Sequence, residues 1–420
     1  MRHLFSIRPA RSPIGVAVLT LALTPTLTLT GADWPQFHGP NRDNHSAETG
    51  LNWAWPAGGP PVAWSKAVGQ GWAGPVVAGG KLILFHRAGD EEKVEALDPA
   101  TGKGVWAFAY RAKYRDDFGF DEGPRATPTV SGDVVFTLGA NGDLHAIELA
   151  TGKARWHRPL LADYRADKGF FGVAGSPVVA GGRVLVNVGG KGTGVVAFDA
   201  AAGKEAWKAT DDAAGYSSPV VAAVDGKVTA VFLTRDGLVG LDPATGAVRF
   251  AHPFKPRIRE SVNAATPLVW NGDVFLTVSY GLGAALVRPK GADVEEVWAN
   301  DRSLSCQYNT PVRVGEYLYG CHGRADAAPA ELRCVEWKTG AVKWGQPRFG
   351  PASLIAVDGG LLALTERGEL VRFDASPERY TERGRAAILG APTRAAPALS
   401  GGRLYARDGA KLVCVDLRRE

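Results

Sequence analysis

One turn, written over and over, constrains this chain more than any other feature. "LDPATGKGVW" (97–106) returns as "IELATGKARW" (147–156), "FDAAAGKEAW" (198–207), "LDPATGAVRF" (241–250) and "VEWKTGAVKW" (335–344). Recurrence at a fixed period marks a repeat architecture, in which each unit buries its apolar faces against its neighbours. Pro75, Pro128, Pro177, Pro219, Pro267, Pro311, Ile355 and Pro397 open successive units, and the seven intervals average 46 residues. That is the length of a four-stranded propeller blade.

Within a unit the order is strand, glycine turn, strand. In "SPVVAGGRVLVNVGG" (176–190), Val178 and Val179 run into Gly181-Gly182, and Val184 to Val186 run back. "GVVAFD" (194–199) and a strand ending at Trp207 complete the four. Runs of about five residues bounded by turn formers read as strands, and no stretch keeps a 3.6-residue apolar period. The abundant glycine (53) and proline (27) fit many short strands and tight turns. The last unit (397–417) holds three strands and no TG turn, whereas "PPVAWS" (60–65) is a lone strand ending in Trp64. Joining them predicts an all-β, eight-bladed propeller of four-stranded antiparallel blades. Val62–Trp64 would pair with the strand holding Val413 and Val415, which leaves no open sheet edge. Residues 60–420 form the propeller in this reading, and residues 33–59 an extended arm along its surface.

The TG turn has a local explanation. Asp98 or Asp242 accepts backbone N–H groups at its start, and Gly102 or Gly246 supplies a positive φ. The tryptophans that follow it, Trp106, Trp156, Trp207, Trp298 and Trp344, with Trp64 closing the ring and Phe250 in the fourth unit, read as packing between blades rather than as a cofactor stack.

Residues 1–32 read as an export signal: basic "MRHLFSIRPARS", apolar "IGVAVLTLALTPTLTLT", then small residues before Asp33. The formal net charge is +5, and this segment carries three arginines and no acid. Without it the excess falls to +2, too little for a nucleic-acid-binding field. Pro25 interrupts the apolar run and no cysteine follows it. The expectation is an exported, periplasmic or extracellular monomer without a transmembrane span or lipid anchor.

The repeat resembles the pyrroloquinoline-quinone-type (PQQ-like) propeller repeats, whose blades carry A-x-D-x-x-T-G-x-x-x-W, over nearly all of residues 60–417. "WPQFHGPNRDNHSAETGL" (34–51) and "DDFGFDEGPRATP" (116–128) resemble segments of exported quinoprotein-like propellers. The architecture is also similar to the propeller lipoprotein of the outer-membrane barrel-assembly machine. The first resemblance implies PQQ held with Ca²⁺ in an alcohol dehydrogenase that carries two adjacent cysteines. Here Cys306, Cys321, Cys334 and Cys414 are all separated. The second implies an acylated N-terminal cysteine, which this chain lacks.

The loops entering the first strands open on the channel face, so the residues three places before each unit opening should form a ring. They are Trp72, Arg125, Ala174, Tyr216, Ala264, Tyr308, Ala352 and Arg394, with Asn263 and Gln307 one place further out. Trp72, Arg125, Tyr216, Asn263, Tyr308 and Arg394 are therefore the candidate ligand-binding set, suited to a planar or anionic ligand. The loops "YRAKYRDDFGFDEGPRATP" (110–128) and "YRADKGFFGVAGSP" (164–177) share Tyr-Arg and Phe-Gly wording and suit protein or carbohydrate contact. Asp116, Asp117, Asp121 and Glu122 lack a recognisable Ca²⁺ loop spacing. No zinc pairing, nucleophile elbow or P-loop occurs, so no catalytic or metal-ligating residue is assigned. Export favours a disulfide, Cys321–Cys334 or Cys306–Cys321, with buried thiols the alternative. The chain reads as a non-enzymatic binding or scaffold module for a protein or carbohydrate, without a cofactor. A PQQ-dependent dehydrogenase comes second. A carbohydrate-active propeller, which would need acids such as Asp121, Glu122, Asp236, Glu366 and Asp408 to converge, comes third.

Overall fold

Short apolar runs separated by glycine turns pair with their chain neighbours, and in the computed structural model they do so eight times. The structure describes Met1, residues 32–327 and residues 330–419. The expected export signal, residues 1–32, lies outside the described residues apart from its two ends. The described residues form eight four-stranded antiparallel sheets. Blades 1 to 7 span residues 76–111, 129–159, 178–209, 220–253, 268–300, 312–346 and 352–387. Blade 8 takes three strands from 398–416 and its outer strand, Val62–Ala67, from the other end of the chain. Val62 pairs with Val415 and Trp64 with Cys414, as expected, so the ring closes by hydrogen bonding between its termini. One five-residue helix, Leu160–Tyr164, interrupts the strands. Among the described residues no helix is long and apolar enough to cross a membrane.

Burial follows position in the blade. The middle strands lie between two neighbouring blades and are apolar on both faces, as in Gly360–Thr365 and Gly237–Leu241, which are buried throughout. Outer strands such as Gly104–Arg111 alternate between exposed and half-buried residues, because only one face meets a neighbour.

The repeated turn acquires a second reason here. Six tryptophans reach into the turn between the third and fourth strands of the following blade, and each donates its indole N–H to a backbone carbonyl there. Trp64 bonds Pro99, Trp106 Leu149, Trp156 Ala200, Trp207 Pro243, Trp298 Trp337 and Trp344 Ser376, at 2.8–3.2 Å. The ring lies flat against the turn glycine: a Cβ on Gly102 would fall 2.7 Å from Trp64. The glycine is needed for its positive φ (69°) and for its missing side chain alike. Two exceptions obey the same logic. Blade 5 turns at Lys290-Gly291 instead of TG, and the residue of blade 4 that would dock there is Phe250, not tryptophan. In blade 7 the docking position, just after the bulge of the outer strand, is Gly384, and Trp55 of the N-terminal arm packs over it.

A hydroxyl belt, unremarked in the sequence, joins the inner strands. In blades 2, 3, 4 and 6 the hydroxyl of the residue before the opening proline accepts a backbone N–H from the previous blade. Gly74 donates to Thr127, Thr127 to Ser176, Ser176 to Ser218, and Thr266 to Thr310, at 2.9–3.0 Å. Ser217 bonds the Ala265 carbonyl where the belt skips from blade 4 to blade 5.

Residues 34–45 depart from the surface course expected of them. Trp34 pairs with Val77 of blade 1, the Pro35 carbonyl accepts from Val130 of blade 2, and Arg42 lies buried in the channel. Arg42 donates to the carbonyls of Ser176, Pro177 and Pro219, to the Thr129 hydroxyl and to Gln36. Inner strands are sheet edges with unpaired carbonyls, and an arginine supplies five donors to meet them. Burial lowers its pKa to about 9. His45 then reaches the Arg313 carbonyl, and Glu48 takes the N–H groups of Gly401 and Gly402. With the Ser46 N–H on the Ala356 carbonyl of blade 7, the arm ties seven of the eight inner strands or their turns together from one end of the channel.

Candidate functional site

Hairpin topology puts the turns gripped by the arm at one end of the channel, and the loops entering the first strands at the other. At that second end lies a cavity of about 380 Å³. Its floor is Phe37 of the arm, beside Ser176 and Ser218 of the belt. Seven of the eight ring positions line it: Trp72, Arg125, Ala174, Tyr216, Ala264, Tyr308 and Arg394. Ala352 does not.

The large ring residues have distinct environments. The guanidinium groups of Arg125 and Arg394, from blades 2 and 8, lie 4.5 and 4.6 Å from the Trp72 ring of blade 1 between them. Arg125 is buried, its side chain 6% exposed, and bonds Asp116 at 2.6 Å, Tyr114 OH at 3.1 Å and the Asp121 carbonyl. Arg394 bonds Glu366 only through Nε, at 2.5 Å, and is a fifth exposed. The Tyr216 hydroxyl accepts the Phe170 N–H at 2.8 Å and so holds down the 164–177 loop. Burial, with Glu366 beside it, raises the Tyr308 pKa well above the usual phenol value and keeps the hydroxyl protonated. Asn263 is not brought to the cavity. It is fully buried, its side-chain amide donates to the carbonyls of Thr234 and Phe254, and its own carbonyl takes the Tyr216 N–H. It positions Tyr216 instead of meeting a ligand.

The two long loops form an aromatic rim. Phe118 and Phe120 are 50% and 58% exposed, stack on one another with centroids 6.1 Å apart, and meet Phe171 at 5.2 and 6.2 Å. Lys168 locks the loops together through Asp117 and the Arg115 carbonyl. Ile258, Tyr280 and the bidentate Arg324–Asp326 pair complete the rim. The shared Phe-Gly wording of the loops signalled this rim. Nothing in the sequence signalled Phe37, or Glu366 as the partner of a residue 28 positions away.

None of Asp121, Glu122, Asp236, Glu366 and Asp408 lines the cavity. Asp121 accepts the N–H groups of Gly71 and Gly123, and Asp408 those of Gly390, Ala410 and Lys411. Asp236 pairs with Lys255, and Glu366 with Arg394. Among the described residues no three His, Cys, Asp or Glu side chains are grouped to hold a metal ion. With two guanidinium groups already on the Trp72 ring, the residues present do not fit a calcium-held, anionic quinone. All four cysteines are buried thiols, and neither expected disulfide is formed. Cys321 sits in register with Leu332 and Cys334 with Tyr319, so the two are diagonal across the strands rather than opposed; Cys306 bridges Gly323.

The family model described as outer membrane protein assembly factor BamB matches residues 90–346. Among solved structures, BamB from Moraxella catarrhalis is 17% identical over 86% of this chain and 98% of its own, with a TM-score of 0.61. The quinohemoprotein alcohol dehydrogenase from Comamonas testosteroni is 14% identical over 93% of this chain and 81% of its own, with a TM-score of 0.64. The computationally designed Ika8 protein is 11% identical over 85% and 100%, with a TM-score of 0.57. At these identities the likeness is one of fold. No curated protein matches the chain in sequence.

Proposed function

This chain belongs to the family described as outer membrane protein assembly factor BamB, and from that premise we propose that it is a binding module of the cell envelope, exported through residues 1–32. Its partner sits in the channel mouth among Trp72, Arg125, Tyr216, Tyr308 and Arg394, and the protein turns nothing over. One observation carries the reading. Equivalent positions of five blades hold large side chains that converge on a single cavity, whose rim exposes apolar rings that a purely structural loop would bury. Among the described residues no donor set matches the quinone-dependent reading. Against the carbohydrate-active reading, which needs a free acid and base within reach of one bond, Asp326 on the rim is paired with Arg324, and Asp121, Asp236, Glu366 and Asp408 are each held by partners of their own.

A photo-crosslinking residue placed at Phe120, in envelope fractions of the source organism, should give a discrete adduct. The same residue at Lys103, on the opposite face, should give none. Adducts from Lys103 alone would move the site to the arm face. Quinone-dependent dye reduction by the purified protein would overturn the non-catalytic reading.

A further inference from the structure

The chemistry of the occupant can be read from what the cavity has already spent. Three arginines reach the wall or rim, and each is neutralised by a carboxylate of its own chain. Arg125 pairs with Asp116, Arg394 with Glu366, and Arg324 with Asp326. In the first pair both side chains are buried, Asp116 completely, so the partnership is built into the wall and is not open to exchange. Glu260 adds a further negative charge at the rim. An anionic ligand therefore meets no uncompensated positive charge here. It would have to shed its own hydration in a largely apolar cavity whose arginines already have their counter-charges.

What remains open is apolar surface and a few hydrogen-bond donors. Phe118, Phe120 and Ile258 are among the most exposed large apolar side chains of the described residues, and all three stand on this one cavity. The Nη groups of Arg394 have no partner among the described residues, unlike its Nε. They stand beside Trp72, Phe120 and Tyr308, whose rings lie 4.6–5.8 Å from the guanidinium carbon. A donor pair framed by aromatic rings suits a neutral carbonyl attached to an apolar body. The rings that sugar stacking would use are already covered: Trp72 by two guanidinium groups and Tyr280 by Arg324 at 4.5 Å.

Resting on the channel-mouth reading, the geometry points to an uncharged occupant: a bulky apolar residue inside an extended polypeptide, its ring against Phe118, Phe120 and Ile258 and a flanking backbone carbonyl on the Arg394 Nη groups. This replaces the planar or anionic ligand that the ring residues alone suggested.

The test is calorimetric titration of the purified protein with three probes: N-acetylphenylalaninamide, N-acetylphenylalanine as its carboxylate, and cellobiose. The neutral amide should bind at least about tenfold more tightly than the carboxylate, because the latter brings an unpaired charge into the site. Binding should weaken at least about fivefold in Phe118→Ser/Phe120→Ser, whose replaced rings are exposed, and about as much in Arg394→Gln. Equal or tighter binding of the carboxylate or of cellobiose overturns the inference, as does no detectable amide binding at millimolar concentration or binding indifferent to both variants. The crosslinking experiment at Phe120 does not depend on probe chemistry. A persisting Phe120 adduct with failed probes condemns the ligand class alone, and loss of that adduct condemns the channel-mouth reading.

Discussion

At the scale of single residues, the two ring arginines look equivalent in sequence and are not. Arg125 closes a buried pair with Asp116 and carries the loop around it, so Arg125→Ala should cost about 3 kcal/mol, read as a lower urea midpoint. Arg394 is a fifth exposed and bonds through one nitrogen, so Arg394→Ala should lower the midpoint less, by about 1 kcal/mol. Glycines divide in the same way. Gly102→Ala meets both a positive φ and the Trp64 ring 2.7 Å from the new Cβ, for a loss of about 2–3 kcal/mol. Gly291→Ala has the positive φ (63°) but open space around it, and should cost about 1 kcal/mol. Equal losses would show that tryptophan docking does not constrain the turn. Glu95 supplies the pH prediction. It accepts from His86 at 3.2 Å and from Lys93 at 2.9 Å, with Lys66 at 3.8 Å. The His86 bond chiefly, offset by burial and helped by the lysines, lowers its pKa from 4.5 to about 2. A depressed folded-state pKa stabilises the fold above the unfolded value and loses that contribution as pH falls from about 4.5 to about 2. Glu95→Gln should therefore flatten the fall in melting temperature across that window.

At the scale of elements, the docking rule decides which substitutions matter. Trp55 belongs to no blade, yet it covers Gly384 at the one closing position of blade 7 left without a large side chain. Trp55→Ala should cost about 2 kcal/mol through lost apolar burial and raise hydrogen exchange in residues 382–387 more than elsewhere. An effect spread evenly over the ring would mean that the arm merely lies on the surface. The hydroxyl belt was legible only in retrospect. Thr127, Ser176, Ser218, Thr266 and Thr310 all precede an opening proline, but a small polar residue before proline is common enough to pass for turn chemistry. Its role needs the neighbouring blade, which lies more than forty residues away.

At the scale of the whole molecule, closure is the feature on which the others depend. Val62–Ala67 completes blade 8 and Trp64 docks on blade 1, so one short strand seals the last inter-blade interface. Removing residues 60–67 should expose the edge strand Lys411–Asp416 and turn a single cooperative unfolding transition into a broad one with self-association, measured by calorimetry and light scattering. A sharp transition in that variant would show that the arm, through Arg42 and Glu48, holds the ring shut by itself.

The sequence by itself determined the blade number, the strand order, the closure of the ring and the ring position from which the cavity is built. All of these follow from local periodicity, because a hairpin repeat pairs only with its chain neighbours. Tertiary structure alone decided what depends on distant partners. It drew Arg42 into the channel to meet the carbonyls of blades 3 and 4, set Asp116 and Glu366 against the arginines, and turned Asn263 away from the cavity. It also left Cys321 and Cys334 diagonal rather than opposed. Charge compensation and register act through space, between residues whose separation along the chain carries no trace of it.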